Sequence, residues 1–362
     1  PPRSTLFPYT TLFRSVVVGP QQPPEAHAAA HVLNAWLGAP GQTLAFTGEP
    51  DADRPPHAES IAKLTEQMAA GKISTLVMLG GNPVYNAPAD VPFADALAQV
   101  ATSVHLSSYV DETSQRCTWH LPRAHYLESW GDARAWDGTL SIVQPLIEPL
   151  YGGHTPLELL ALLCDDKLTS GYDLVRRTFG NAFDFGVDRG SLWEDALHDG
   201  VVANSAWPAE TPTLTVERIP EYSGGSTEEI VFAADYSTHD GRFANNAWLQ
   251  EWPDPITKLT WDNAALMSPA QAKNLGVNNG DIVRIELAVI GQRREQLALE
   301  LPVYVLPGHA EGSLTVPLGY GRGRAAGAVG AGVGFNAYAL RCASEQDIDR
   351  KSTRLNSSHR IR

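Results

Sequence analysis

Residues 74–79 read Ser-Thr-Leu-Val-Met-Leu and run without a break into Gly80-Gly81-Asn82-Pro83. A short continuous apolar run ended at once by glycine and proline is the pattern of a strand buried on both faces. Its neighbours extend the pattern. Val16–Val18 reads as a strand stub, and Glu25–Leu37 as a helix stopped by Gly38. Thr43–Phe46 reads as a second strand. Ser60 can cap a helix with Ile61, Leu64 and Met68 on one face, ended by Gly71. Asp90–Gln99 reads as a further helix and Ser103–Leu106 as a further strand. Strands alternating with helices predict a parallel sheet with helices on its faces.

The pattern changes along the chain. Asp111–Gly153 mixes histidines, acids and aromatics without helical or strand periodicity. Thr155–Cys164 reads as a short amphipathic helix, and Tyr172–Trp207 as helix and loop. Leu214–Val216, Glu229–Ala233, Ile282–Leu287, Leu297–Leu306 and Ser313–Pro317 read as strands separated by Gly, Pro, Asn and Asp. One helix interrupts them at Pro269–Leu275, with Ser268-Pro269 at its start and Gly276 at its end. The sequence therefore divides into an α/β domain at 16–110, a mixed segment at 111–213 and a β-rich domain at 214–348.

Residues 5–15 (TLFPYTTLFRS) and 349–359 (DRKSTRLNSSH) resemble in-frame translations of common sequencing-library adapters. Residues 1–15 and 349–362 are set aside from fold reasoning for that reason. The remaining stretch is expected to begin and end in mid-protein. Setting the ends aside changes the charge. The 27 basic and 41 acidic side chains become 20 and 40 once seven basic residues and Asp349 are removed. So acidic a chain disfavours a nucleic-acid partner, which needs clustered Lys and Arg, and suits docking to basic proteins. No run of 18 or more apolar residues exists, so no direct membrane span is expected. Cys117, Cys164 and Cys342 are widely separated, and their spacing builds neither a zinc nor an iron–sulfur site.

Three motifs carry possible chemistry. Gly80-Gly81-Asn82-Pro83 sits at the carboxyl end of a parallel strand, where open α/β sheets bind ligands, though an ordinary βα turn also explains it. It is neither GxGxxG nor a P-loop, so from spacing alone the ordinary turn is the favoured reading. His120, His125, Glu128, Asp132 and Asp137 could suggest a metal site or an acid–base pair. Their spacing is not HExxH, and Pro122 breaks a helix across them. They read as buried polar groups paired with Arg123 and Arg134, with Asp137-Gly138 a turn. Gly319–Gly334 is glycine-rich and carries Arg322 and Arg324. It reads either as a phosphate-cradling loop or as a flexible excursion. No GxSxG elbow supports nucleophilic hydrolysis.

Two stretches extend these motifs into a family likeness. WDNAALMSPAQAKNLGVNNGDIVRIE (261–286) and LPGHAEGSLTVPLGYGRGR (306–324) resemble the dinucleotide-binding domain of the molybdopterin oxidoreductase superfamily, a double-psi β-barrel. LVMLGGNPVYNAPAD (76–90) resembles the GxNP element of its α/β domain. GPQQPPEAHAAAHVLNAWLG (19–38), YLESWGDARAWDGTLSIVQPLIEPLYGG (126–153), ALHDGVV (196–202) and VGFNAYALR (333–341) are narrower. They look like the molybdopterin-oxidoreductase-like, iron–sulfur large subunit of alternative complex III, a quinol:electron-acceptor oxidoreductase. The resemblance implies an α/β class chain with a Rossmann-like parallel sheet, a mixed segment and a double-psi β-barrel. It implies a scaffold and electron-transfer subunit of a bacterial respiratory complex, peripheral on the periplasmic face of the inner membrane. Its partners would be cytochrome c and integral membrane subunits. No cofactor, metal or catalytic centre is expected within this stretch, and iron–sulfur clusters are expected downstream. The departure ESWGDARAWDGTLSIVQP (128–145) fits a remodelled pterin cleft. The alternative is a catalytic subunit, in which Gly80, Gly81, Asn82, Pro83, Trp261, Asn263, Gly321 and Arg322 would hold a molybdopterin dinucleotide.

Overall fold

The buried strand forms where its sequence places it, at Thr75–Leu79, in the computed structural model of the chain. The structure describes residues 14–19, 22–48, 51, 53–182, 189–215, 229–287, 297–343, 348–349 and 353–357. The fold is mixed α/β and divides into two compact units, each discontinuous in sequence. One contains 1–54 and 124–224; the other contains 55–123 and 225–362. The irregular 111–153 segment, which reads as one piece in sequence, passes from one unit to the other between Arg123 and Ala124.

In the unit of 55–123 and 225–362, Thr75–Leu79 pairs in parallel with Thr102–Ser107, which pairs in parallel with Trp119–Pro122. The third strand comes from the segment that shows no strand periodicity in sequence. It is a four-residue edge strand, half exposed, where a terminal proline is tolerated. The helix His57–Ala69 starts three residues before Ser60. Pro56 is its N-cap, and no side chain caps it, so Ser60 lies inside the helix. Its apolar face behaves as the spacing predicts: Met68 is fully buried, with Ile61 and Leu64 packed beside it against Met78, Phe93 and Leu97. The helix expected at Asp90–Gln99 shortens to Phe93–Leu97, because Pro92 occupies its N-cap.

The same unit holds a seven-stranded mixed sheet. Glu229–Ala233 runs parallel to Ser313–Pro317, which runs antiparallel to Ala265–Met267. Ala265–Met267 is parallel to Leu297–Val305, and that strand is antiparallel to Ile282–Leu287. Alternate residues of these strands meet in one core: Ile230 and Phe232, Val283 and Ile285, Leu301 and Val303, Leu314 and Val316. That is the two-residue period of a strand with one packed face. The helix Pro269–Leu275 forms as its caps dictate. The Ser268 hydroxyl accepts from Gln271 N, and Gly276 takes the left-handed conformation at φ 68°. The outer strands are Ile348–Asp349 beside Glu229–Ala233 and Thr353–Ser357 beside Ile282–Leu287. The second lies within the adapter-like stretch 349–359. A sheet edge offers unpaired N–H and C=O groups to any extended segment.

The unit of 1–54 and 124–224 has its own core, built on Leu140, Ile142, Val175, Phe179, Trp193 and Val202. Trp130 packs edge-on against Tyr172 with ring centroids 4.9 Å apart, and Phe179 does the same against Trp193 at 5.1 Å. The helix Pro24–Trp36 ends before Gly38, as expected. Val16–Val18 is not a strand. The expected Thr43–Phe46 strand is reduced to Phe46–Thr47 and pairs antiparallel with Ala209–Glu210, so it does not extend the parallel sheet. Thr155 and Glu158 form a reciprocal capping box on the helix Pro156–Leu163. Leu214–Thr215 carries no strand, and Val216 lies outside the described residues. Among the described residues no helix is long and apolar enough to cross a membrane.

Candidate functional site

Six of the eight residues singled out in sequence lie along two facing stretches of one unit, Gly80–Pro83 and Gly321–Arg322. Glycines at 80 and 81 take φ of 90° and 76°, so the chain turns sharply as it leaves the parallel strand. Only glycine adopts such angles without strain. A Cβ at position 80 would meet Arg123 Nη1 at 2.9 Å, whereas one at position 81 would meet only Pro83 Cδ at 3.9 Å. The Gly81 face is therefore the open side of the turn.

Asn82 spends its amide on the protein itself. Its Nδ2 donates to Glu112 Oε2 at 2.7 Å. Its Oδ1 accepts from Thr113 N at 3.1 Å and Thr113 Oγ1 at 2.8 Å. Glu112 then carries the connection across the unit. Arg322 Nε donates to Glu112 Oε1 at 3.1 Å, and Nη2 donates to Oε2. The third guanidinium nitrogen donates to the Gly241 carbonyl at 2.9 Å, and the group lies over the Tyr85 ring. Arg322 is only 8% exposed. Burial alone would raise the Glu112 carboxyl, but hydrogen bonds from Arg322 and Asn82 outweigh it and hold it below its ordinary value. The result is a bidentate, charge-assisted brace between residues 210 apart in sequence.

Tyrosines line the same region. Tyr85 is buried, donates to the Tyr320 carbonyl at 2.7 Å and meets Tyr338 edge-on at 5.1 Å. Burial, and next the neighbouring Tyr338, raises its phenol. Tyr338 is pushed up to about 12 by burial and then by Asp240. Neither phenol ionises near neutral pH, so these rings pack and donate. A recess of about 210 Å³ opens beside them, lined by Pro83, Tyr85, Phe93, Asn336 and Tyr338 among others.

Asn263 and Gly321 order the glycine-rich loop. Asn263 Nδ2 donates to the Pro317 and Phe335 carbonyls at 2.8 and 3.0 Å, and its Oδ1 accepts from Phe335 N at 2.8 Å. A Cβ at Gly321 would sit 2.0 Å from Asn336 N. Gly321 is thus required by the loop's own backbone. The reading of Gly319–Gly334 as a flexible excursion is replaced by a packed loop with a helical turn at Gly327–Gly330 and buried Ala326 and Gly330. Trp261 stands apart. It is 37% exposed with φ 59°, and its N–H donates to Gln250 O at 3.3 Å.

His120 belongs to the unit of 55–123, and His125, Glu128, Asp132 and Asp137 belong to the other. Glu128 accepts from His125 N and Leu150 N rather than from an arginine. Arg134 donates to the Gly138 and Ser205 carbonyls. Its charge lowers Asp132, whose carboxyl is nonetheless raised, chiefly by burial. Asp137 receives Thr139 N at 2.9 Å, and Gly138 takes φ 87°, so the Asp-Gly pair is the turn of a hairpin. Among the described residues no three His, Cys, Asp or Glu side chains cluster as a metal site. Sequence reasoning missed Glu112, Thr113 and Tyr85. No motif marks them; only the approach of Arg322 to the βα turn gives Glu112 its role.

No protein-family model matches the sequence, and no curated protein matches it. Among solved structures, the chain is similar to acetylene hydratase from Pelobacter acetylenicus, at a TM-score of 0.57 and 14% identity. The match covers 82% of this chain and 46% of that one, so the chain spans about half the length of that structure. At this identity the likeness speaks for the fold alone.

Proposed function

We propose that this chain is a scaffold segment of an electron-transfer subunit in a membrane-bound, quinol-oxidising respiratory complex. The observation that carries the reading is the state of the cradle residues. The amide of Asn82, the amide of Asn263 and the guanidinium of Arg322 are each engaged by the protein's own groups. Buried polar groups that have found partners gain little by exchanging them for a ligand. These residues act as braces between the βα turn and the glycine-rich loop.

In this reading the seven-stranded mixed sheet is the counterpart of a double-psi β-barrel. Iron–sulfur clusters reside in polypeptide downstream of Ile348, and the acceptor is cytochrome c or a terminal oxidase. Integral membrane subunits anchor the assembly at the periplasmic face of the inner membrane. The resemblance of 126–153, 196–202 and 333–341 to the iron–sulfur large subunit of alternative complex III motivates these assignments. Large apolar side chains left exposed also support them. Leu146, Leu150, Tyr151, Leu162 and Leu163 are all more than half exposed within one unit. Apolar exposure on that scale marks interfaces.

One observation favours the rival reading. Gly81 presents an open backbone face at the carboxyl end of a parallel strand, the place where α/β sheets take ligands. In a catalytic subunit the Gly80–Pro83 turn, Trp261 and the Gly321–Arg322 loop would hold a molybdopterin dinucleotide. Metal analysis of the full-length protein separates the two. Iron without molybdenum, with cytochrome c co-purifying, is the expected result; stoichiometric molybdenum would overturn the proposal.

A further inference from the structure

Beneath the Gly80–Pro83 turn lies a group of buried titratable side chains that the proposed scaffold role does not use. Parallel pairing places His105 of the central strand directly beside His120 of the edge strand. Ser114, from a single turn of 3-10 helix between them, bridges the two rings. Its Oγ is 2.7 Å from His105 Nδ1 and 3.0 Å from His120 Nδ1. The other nitrogen of His105, Nε2, is 3.0 Å from the Gly81 carbonyl oxygen. His105 is fully buried.

The protons in this chain can be ordered by elimination. A carbonyl oxygen only accepts, so His105 Nε2 must carry hydrogen. A neutral His105 then has a bare Nδ1, which must accept from Ser114. The serine owns one proton, and it goes to the nearer of two acceptors, His105 Nδ1 at 2.7 Å rather than the Tyr109 carbonyl at 3.3 Å, so His120 Nδ1 donates to Ser114 Oγ. The two neighbouring histidines are therefore opposite tautomers. Protonation reverses the chain. A proton arriving at His120 Nε2 makes that ring a cation. Its Nδ1–H bond breaks as a bond forms to Ser114 Oγ, and the serine's original proton passes to His105 Nδ1. His105 is then the cation, His120 is the neutral Nε2–H tautomer, and Ser114 donates to His120. No ring rotates, and the Nε2–H bond to Gly81 is kept throughout.

Asp111 is built to receive the charge. Its Oδ1 lies 3.5 Å from His105 Nδ1. The carboxylate is held in place by Ser114 N at 2.9 Å and Ser107 Oγ at 3.1 Å. Burial, and next the charge of His105, holds His120 below the ordinary histidine range, while Asp111 acts in the opposite sense. Cys117, after the same turn, also senses Asp111; burial first and Asp111 with it keep the thiol raised and uncharged.

We propose that His105, Ser114 and His120 form a two-state proton relay whose inner end holds the Gly81 carbonyl and so ties the βα turn to the half-buried His120. His105 is a positioning residue for that turn. The proposal is independent of the electron-transfer reading, since it concerns only this chain's own protons. The test is nitrogen NMR of the full-length protein labelled with ¹⁵N at histidine. Near neutral pH the expected tautomers are Nε2–H at His105 and Nδ1–H at His120. Acidification through the histidine range should give a doubly protonated His105 and move His120 to the Nε2–H tautomer. Like tautomers at neutral pH, or a proton that stays on His120 while His105 remains neutral, would overturn the relay. Ser114→Ala should return His120 to the Nε2–H tautomer and uncouple the two titrations; unchanged signals would count against the proposal. Should that variant fail to fold, His120→Asn serves instead. His105 is then expected to remain Nε2–H, and an Nδ1–H form would overturn the assignment.

Discussion

The Asn82–Glu112–Arg322 brace and the Glu128–Asp137 stretch both offer acids and bases in a pattern that could be chemistry, and they differ in where their partners lie. Glu112 binds side chains far away in sequence, and its partner Arg322 is buried. Glu128 and Asp137 bind backbone amides within a few residues of themselves, apart from one bond to Leu150 N, and Asp137 is exposed. The first arrangement fixes tertiary structure; the second sets turns. Charge density along the sequence is the same kind of signal in both, so it does not distinguish them. Burial and partner separation do.

The sharpest way to test this difference is to remove one acid from each. Glu112→Ala leaves the Arg322 guanidinium buried without its counter-charge, and should cost about 3–5 kcal/mol in urea unfolding. A loss below about 1 kcal/mol would mean that the brace is not closed in solution. Gly321→Ala should come next, near 2–4 kcal/mol by the mechanism of strain at a close backbone approach. It combines φ 70° with a Cβ placed on Asn336 N, and an unchanged unfolding midpoint would show that the loop packs differently. The third effect is pH-dependent. His120 is depressed below 6.5 in the fold, so the unfolded chain binds its proton first and stability falls as pH drops from about 6.5. Glu112 is depressed below 4.5, so its contribution is present above that value and lost as pH falls through the folded value. Asp132 and Asp262 are raised by burial and act in the opposite sense in the acid range. The Glu112 part is therefore read as the difference between wild type and Glu112→Gln, whose unfolding midpoint should fall less steeply in acid. Asp137→Ala gives the smallest effect. It removes a turn-capping acceptor at the surface and should move the urea unfolding midpoint least of these variants. A cost as large as that of Glu112→Ala would erase the distinction between the regions.

Local structure is legible from the chain wherever neighbours in sequence supply the determining contacts. Thr75–Leu79, Glu229–Ala233, Ile282–Leu287, Ser313–Pro317 and the capped helix Pro269–Leu275 all follow from apolar period, glycine stops and a serine cap. Where the pattern misleads, proline or partner choice is the reason. Pro56, not Ser60, starts the helix His57–Ala69, and Phe46–Thr47 finds its partner at Ala209–Glu210. Trp119–Pro122 has no strand signature, because an edge strand half open to solvent need not alternate.

The sequence by itself determined the strands with a clear apolar run and the turns at glycine and proline, because those depend on steric limits within a few residues. The tertiary structure decided what the marked residues do. It placed Arg322 against Glu112, His105 against Gly81 and Asn263 against Phe335. These contacts form only when strands far apart in the chain pack together, and burial then makes each unpaired polar atom costly. That cost makes Gly80–Pro83 and Gly321–Arg322 a braced structure rather than two motifs.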